Sequence, residues 1–248
     1  VDTGDGQTDA KSGKDSGKDA IAPSGPKYVE EVLADRPVGY WRLGDGSGTT
    51  ARDHVGAHAG TYERGFSLGV AGVVSNDTAA WFDGQAGSRV RIGDVFDFPD
   101  KASCTLEVWV KWDGGHAGYV IAKKSSIDGT GYSLLASPLT GDSVLWVYSR
   151  TLRPDLTDAV QYTAPKSPRF AHVVATYDGT KGRIFFNGVE ANSANFGLNL
   201  PGNSAILALG SNSGGDGAFN GTLDEVAIYD HALPLARIQT HYQAANSK

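Results

Sequence analysis

Hydrophobic and polar residues alternate with a period of two along most of this chain, in short runs closed by Gly-, Asp- or Asn-containing turns. Thr105–Trp112, TLEVWVKW, is the clearest run: Leu106, Val108, Val110 and Trp112 fall on one face, Glu107, Trp109 and Lys111 on the other. Bulky apolar groups on both faces predict a central strand, with one face in a sandwich core and the other lining a partly covered surface. Further strands are predicted at Val38–Leu43, Tyr119–Lys123, Gly131–Ala136, Ser143–Arg150, Arg169–Tyr177, Lys181–Asn187, Ala205–Gly210 and Thr222–Tyr229. Ala79–Ile92 reads as a hairpin about Asp83-Gly84, and Asp128-Gly129, Thr140-Gly141-Asp142, Asp178-Gly179-Thr180 and Asn187-Gly188 supply the same left-handed turn chemistry. Helical spacing occurs at Tyr28, Val29, Val32 and Leu33, and again at Leu235, Ile238 and Tyr242, which predicts a short helix near each end. The second is expected on the sandwich edge, close to the first if the termini meet. The whole describes an all-β chain, a two-sheet antiparallel jelly-roll sandwich with short N- and C-terminal helices.

Residues 1–26 break this pattern. They are almost entirely Gly, Asp, Lys, Ser, Thr, Ala and Pro, too polar to offset the entropy of ordering, and are expected to form a disordered tether to one domain over residues 27–248. Thirty-three glycines and 40% hydrophobic residues suit many short strands joined by tight turns. A net charge of -6 argues against a nucleic-acid or anionic-membrane partner. No apolar run approaches the ~18 residues that span a bilayer. With no methionine, the chain lacks its own start, so a removed signal or an excised fragment is implied, and export to an extracellular or cell-surface location is expected. The single cysteine, Cys104, is expected to be a small buried hydrophobe.

Phe219–Asp230, FNGTLDEVAIYD, sets Asp224 and Glu225 inside an otherwise apolar strand. Adjacent strand residues face opposite sides, so at least one carboxylate should need a partner, and a cation is one candidate. His54 and His58 lie in a Gly/Ala loop without the rigid frame of a zinc site.

The order of segments resembles the laminin-G-like, concanavalin A-like family of lectin and glucanase jelly rolls, in its bacterial and phage branch. Pro37–Leu43, Phe82-Asp83-Gly84, Thr105–Lys111, Ala171–Thr180, Asn187-Gly188 and Phe219–Leu233 carry the likeness, which covers Tyr28 to Tyr242. It implies a structural calcium on the convex side, held by the Asp224 side chain with the Asp83-Gly84 turn as backbone contributor; Asp45 is a further candidate ligand. The alternative is that Asp224 accepts backbone N–H groups with no ion. Glucanases of this fold place alternating carboxylates on one strand; no such set occurs here, nor a Gly-x-Ser-x-Gly elbow, a His-Glu-x-x-His helix or a phosphate loop. Glu107 is expected to pair with Lys111 or Arg183, and His172 to be a hydrogen-bonded sheet histidine. The chain is therefore expected not to be an enzyme.

Sugar recognition needs an aromatic face beside hydrogen-bonding groups. Trp146, Tyr148 and Arg150 share one face of their strand, with Lys123, Lys124 and Tyr132 expected on neighbouring strands and Asn212, Asp216 and Asn220 as a polar rim. Thr151–Pro168 is the segment that would cover that platform. Two functions follow: an extracellular carbohydrate-binding or adhesive module on a flexible tether, or a structural, protein-binding module of a surface appendage or phage fibre.

Overall fold

The computed structural model describes Val1 and residues 24–246. The tether predicted over residues 1–26 lies, from residue 2 to residue 23, outside the described residues. In chain order the elements are α1 (Ser24–Ala34), β1 (Gly39–Trp41), β2 (Thr50–Ala51), β3 (Gly60–Glu63), β4 (Phe66–Ala71), β5 (Thr78–Asp83), β6 (Arg89–Gly93), β7 (Cys104–Trp112) and β8 (Gly118–Lys124). There follow β9 (Gly131–Leu139), β10 (Ser143–Arg153), β11 (Leu156–Pro165), β12 (Ala171–Tyr177), β13 (Lys181–Phe186), β14 (Val189–Asn195), β15 (Leu207–Leu209), β16 (Asn220–Tyr229) and α2 (Leu235–Asn246).

The strands form two antiparallel sheets. Sheet A runs β14-β13-β12-β7-β16-β5-β4, with β1 also paired to β16; sheet B runs β11-β10-β9-β8-β15-β6-β3-β2. The expected jelly-roll sandwich is the observed fold. Its core lies between the sheets, where Leu106, Val108 and Val110 of β7 meet Leu134, Val144 and Trp146 of sheet B. The hairpin expected at Ala79–Ile92 does not form, because β5 belongs to sheet A and β6 to sheet B. Residues 84–88 are too many for a two-residue turn and instead carry the chain across the ~10 Å between sheets.

The other face of β7 is covered too. Tyr28 and Val32 of α1 and Ile238 and Ala244 of α2 pack on Trp109, Val174, Phe185, Ala227 and Tyr229, making a second apolar cluster on the outer face of sheet A. The helices lie on this face rather than on the sandwich edge. They do meet: Arg237 holds Glu31 at 2.7 Å and Asp35 at 2.8 Å.

At the centre of this second cluster sits Glu107, fully buried. Its carboxylate accepts from Tyr28 Oη (3.2 Å), Tyr229 Oη (2.9 Å), His172 Nε2 (2.8 Å) and His241 Nδ1 (3.0 Å). The expected pairing with Lys111 or Arg183 is thus replaced by contacts from four elements, and Arg183 bonds Asp178 at 2.6 Å. A buried charge needs hydrogen-bonding partners, and only the helix-covered side offers them. His172 is a bonded sheet histidine and Cys104 a buried hydrophobe, both as expected.

Candidate functional site

The aromatic platform expected on β10 is not a surface. Trp146 is 3% exposed and Tyr148 and Arg150 are fully buried, while Tyr132 (2%) and Lys123 (1%) are equally enclosed. Alternation puts these side chains on one face but does not say which face is inside; the outward residues are Leu145, Val147, Ser149 and Thr151. The facing sheet does the covering, since the segment Thr151–Pro168 supplies the end of β10 and then β11 at the sheet edge, paired to β10. The two cations close one end of the core. Lys123 Nζ donates to the carbonyl of Ala205 (2.6 Å) and meets Asp94 (2.5 Å), while Arg150 Nη2 donates to the carbonyls of Phe98 and Asp100, both at 3.0 Å. Lys124 Nζ bonds Thr151 Oγ1 on the outer face of sheet B (3.1 Å). Of the expected rim, Asn212 Oδ1 accepts from Gly214 and Asp216 within its own loop, and Asn220 Nδ2 donates to the Gly114 carbonyl at 3.1 Å.

The expected calcium set is not brought together. Asp83 pairs with Asn220 in the ladder, four residues along β16 from Asp224, which is about 13 Å at strand rise. Asp83 Oδ1 caps the Gln85 amide instead (2.9 Å). Asp224 faces the turn at residues 72–77: its Oδ2 accepts from Val73 N at 2.7 Å, and a Cβ added at Gly72 would lie 2.8 Å from that oxygen and 3.1 Å from the Asp77 carbonyl. Asp224 Oδ1 is buried with no partner among the described residues. Burial first, and the charge of Glu225 second, push the Asp224 pKa well up.

The adjacent carboxylates do not face opposite sides. Glu225 adopts φ +51° in a bulge between Asp224 and Ala227, which breaks the alternation. It accepts from Arg42 Nη2 at 2.9 Å and from Tyr40 Oη. Burial raises the Glu225 pKa to about 7 against the pull of Arg42. Among the described residues no three His, Cys, Asp or Glu side chains form a metal cage. The turn at residues 72–77, not Asp83-Gly84, is what lies beside the Asp224 carboxylate. Asp45 accepts from Tyr62 Oη (3.1 Å), the His54 ring lies against Tyr40, and the His58 carbonyl takes the Trp41 indole N–H.

A different aromatic, Trp112, belongs to the core cluster at 7% exposure and borders the surface only at its edge. At the end of β7 a depression of about 390 Å³ is lined by Trp112, Asp113, Asp142, Lys166, Ser167 and Pro168. Three segments distant in sequence build it. The β7 strand ends at Trp112, and Gly114 and Gly115, at φ +108° and +100°, turn the chain away immediately after Asp113. The β9–β10 turn brings Asp142, whose carbonyl accepts from Lys166 N at 2.8 Å. Lys166 Nζ then donates to the Asp113 carbonyl (2.9 Å) and stands 5.4 Å from the centre of the Trp112 ring, a cation–π contact. Asp113 Oδ2 accepts from the indole of the half-buried Trp81 at 2.8 Å. The pocket therefore offers an indole edge, an ammonium and two carboxylates within one opening, a set suited to the apolar face and hydroxyls of a sugar. Sequence reasoning put Trp112 on one face of the strand with Leu106, Val108 and Val110, which is the core face in the structure, and passed over Asp113, Asp142 and Lys166. The one local signal was an aromatic strand end followed by Asp-Gly-Gly.

The family described as the concanavalin A-like lectin/glucanases superfamily matches residues 83–239, more than half of the chain. No curated protein sequence matches it. Among solved structures, the binding domain of Paraclostridial Mosquitocidal Protein 1 is similar with a TM-score of 0.65 at 15% identity, covering 85% of this chain and 52% of that one. The botulinum neurotoxin serotype G binding domain gives 0.64 at 10% identity over 84% and 50%. The serotype D ligand-binding domain in complex with N-acetylneuraminic acid gives 0.61 at 11% over 86% and 52%. This chain thus spans about half the length of these binding domains. At such identities the likeness is one of fold.

Proposed function

Because the chain belongs to the concanavalin A-like lectin/glucanases superfamily, we propose that it is a non-catalytic carbohydrate-binding module whose sugar site is the pocket at Trp112. The observation that carries this reading is the Trp112 indole opening beside Lys166, Asp113 and Asp142. Similar folds serving as binding domains, one complexed with a sugar acid, support a binding role. Glu107, the carboxylate of the strand that leads to the pocket, is sealed under both helices and bonded on every side, which removes it from proton transfer with a substrate. In this reading the module works outside the cell or on its surface, hung from residues 1–26, and calcium, if bound, is structural and sits at Asp224 with the 72–77 turn.

The test is a glycan array with the wild type and the variants Trp112→Ala and Asp113→Asn. Selective binding that falls at least about tenfold in Trp112→Ala, roughly 1.4 kcal/mol, supports the site. Absence of binding to any glycan at high density overturns it in favour of a protein-binding or spacing module.

A further inference from the structure

The five tryptophans divide unevenly. Trp41, Trp112 and Trp146 belong to the inner core and Trp109 to the cluster under the helices, but Trp81 belongs to neither cluster of described residues and is only half-buried. Ala80 and Phe82, its neighbours on β5, are core residues, so alternation puts the Trp81 ring on the outer face of sheet A. In the ladder Trp81 pairs with Ser67 of β4 on one side and Thr222 of β16 on the other, and Thr222 pairs in turn with Lys111 of β7. Directly opposed residues share a face, which makes Ser67, Trp81, Thr222 and Lys111 one row across the sheet. On β7 that row lies two residues beyond Trp109, about 7 Å at strand rise, and Trp109 is where the helices pack. The helix pair thus covers one end of the outer face and leaves Trp81 on the other.

The groups around the ring define what it can hold. The indole N–H donates to Asp113 Oδ2 at 2.8 Å, so the ring is oriented before any ligand arrives. Exposed Ser67 and half-buried Lys111 stand in the same row, and the next row carries Asp83 paired with Asn220, whose carbonyl takes the Asp113 amide. An indole bordered by hydroxyl, ammonium, amide and carboxylate groups matches a sugar, whose C–H face packs on the ring while its hydroxyls bond the rim. Lys111 and Asp113 flank it with opposite charges, which favours a neutral sugar over an acidic or basic one. Asp113 is also a wall of the Trp112 pocket, so the two aromatic groups lie on one continuous path. A pyranose with all its substituents equatorial keeps both faces apolar, and β-1,4 linkage of such rings gives a flat ribbon that suits an open sheet face. We propose that Trp81 is a second stacking platform and that the ligand is a linear, neutral β-1,4-linked oligosaccharide running from the Trp112 pocket across Asp113 onto the Trp81 ring. The inference rests on the reading of the chain as a carbohydrate-binding module with its site at Trp112.

The experiment titrates cellobiose and cellopentaose calorimetrically into the wild type, Trp81→Ala, Trp81→Phe and Trp112→Ala, and follows tryptophan emission. Cellopentaose is expected to bind the wild type at least about tenfold tighter than cellobiose, and Trp81→Ala to lose at least about tenfold in cellopentaose affinity. Trp81→Phe, which keeps an aromatic ring, is expected to recover part of that loss, and Trp112→Ala to weaken both sugars. Saturating cellopentaose is expected to shift the wild-type emission to the blue, and less so in Trp81→Phe. The length dependence uses the wild type alone, so it stands even if a variant folds poorly. Equal affinity for the two lengths, or unchanged cellopentaose affinity in Trp81→Ala, overturns the platform and leaves the Trp112 pocket standing. Loss in Trp81→Ala with full binding in Trp112→Ala overturns the pocket and the continuous path. Failure of both sugars while other glycans bind the array overturns the proposed ligand, and failure of every glycan overturns both readings. A dimer in sedimentation that Trp81→Ala dissolves also overturns the platform, because a second copy then covers the ring.

Discussion

Glu107 is the residue on which the helix-covered side of the molecule depends. Burial alone would raise its pKa, but the His241 charge and the hydrogen bonds from His172 and His241 hold the carboxyl well below the usual range. His241 feels the reverse balance: burial lowers its pKa, the Glu107 charge raises it, and the net shift is upward. Both of its ring nitrogens meet oxygens, Nδ1 at Glu107 (3.0 Å) and Nε2 at Asp35 (2.9 Å), as an imidazolium requires. The signs follow. A depressed carboxyl contributes stability that is present above the ordinary Glu pKa and fades as pH falls through the folded value. A raised histidine contributes stability that is complete below about 6.5 and is lost as pH rises through its folded pKa. Melting temperature is therefore expected to peak between about pH 5 and 6.5, with Arg237, Glu31 and Asp35 adding to the same contact, and the peak is expected to flatten in His241→Gln. Glu107→Gln, which removes one of the two carboxylates that meet the buried imidazolium, is expected to cost about 3 kcal/mol, read from the urea midpoint at pH 6. Asp224 is the opposite case. Its raised pKa means that ionisation at neutral pH destabilises the fold unless a cation meets the free oxygen. Calcium at pH 7 is expected to raise the melting temperature, and Asp224→Asn to abolish that response. An unchanged midpoint with and without chelator, together with no metal by elemental analysis, would reject the ion.

Among the elements, the central strands and hairpins were legible because burial on both faces leaves strong alternation and because the turns between them need positive φ. Asn187 and Gly188 show this at φ +52° and +77°. A Cβ at Gly188 would also lie 3.1 Å from Tyr242 of α2, so Gly188→Ala is expected to cost about 1 kcal/mol or more in thermal unfolding. The strands that sequence reasoning passed over were β2, β3, β4, β11 and β14, short or polar elements at or near sheet edges. VEANSAN and LTDAVQYTAP carry little β signal because an edge strand can face water. The bulge at Glu225 was equally hidden. Two acids in succession predict opposite faces, and only the pairing with β7 reveals the irregularity.

At the scale of the molecule, sequence order predicted two sheets but not which face of each strand would be inside. The β10 stripe of Trp146, Tyr148 and Arg150 has the composition of a binding platform and equally that of a core. The pocket at Trp112 was illegible for a different reason: Asp113, Asp142 and Lys166 come from separate turns that only the finished sandwich brings to one end. If that end binds sugar, a saturating ligand is expected to raise the melting temperature of the wild type and to leave that of Trp112→Ala unchanged.

The pairing of α1 with α2 has a mechanical consequence. Arg237, in the first turn of α2, meets the end of α1, while His241 and Tyr28 meet further along, so the helices run antiparallel and the chain enters and leaves at neighbouring points. Tension applied between the two ends would peel the helix pair apart from its open side, loading the contacts of Tyr28 and His241 with Glu107 before those of Arg237 with Glu31 and Asp35. The sandwich would be strained only after both helices had lifted from Trp109. The paired helices are expected to act as a mechanical fuse, giving a first low-force step in single-molecule pulling before the sheets that carry the pocket yield.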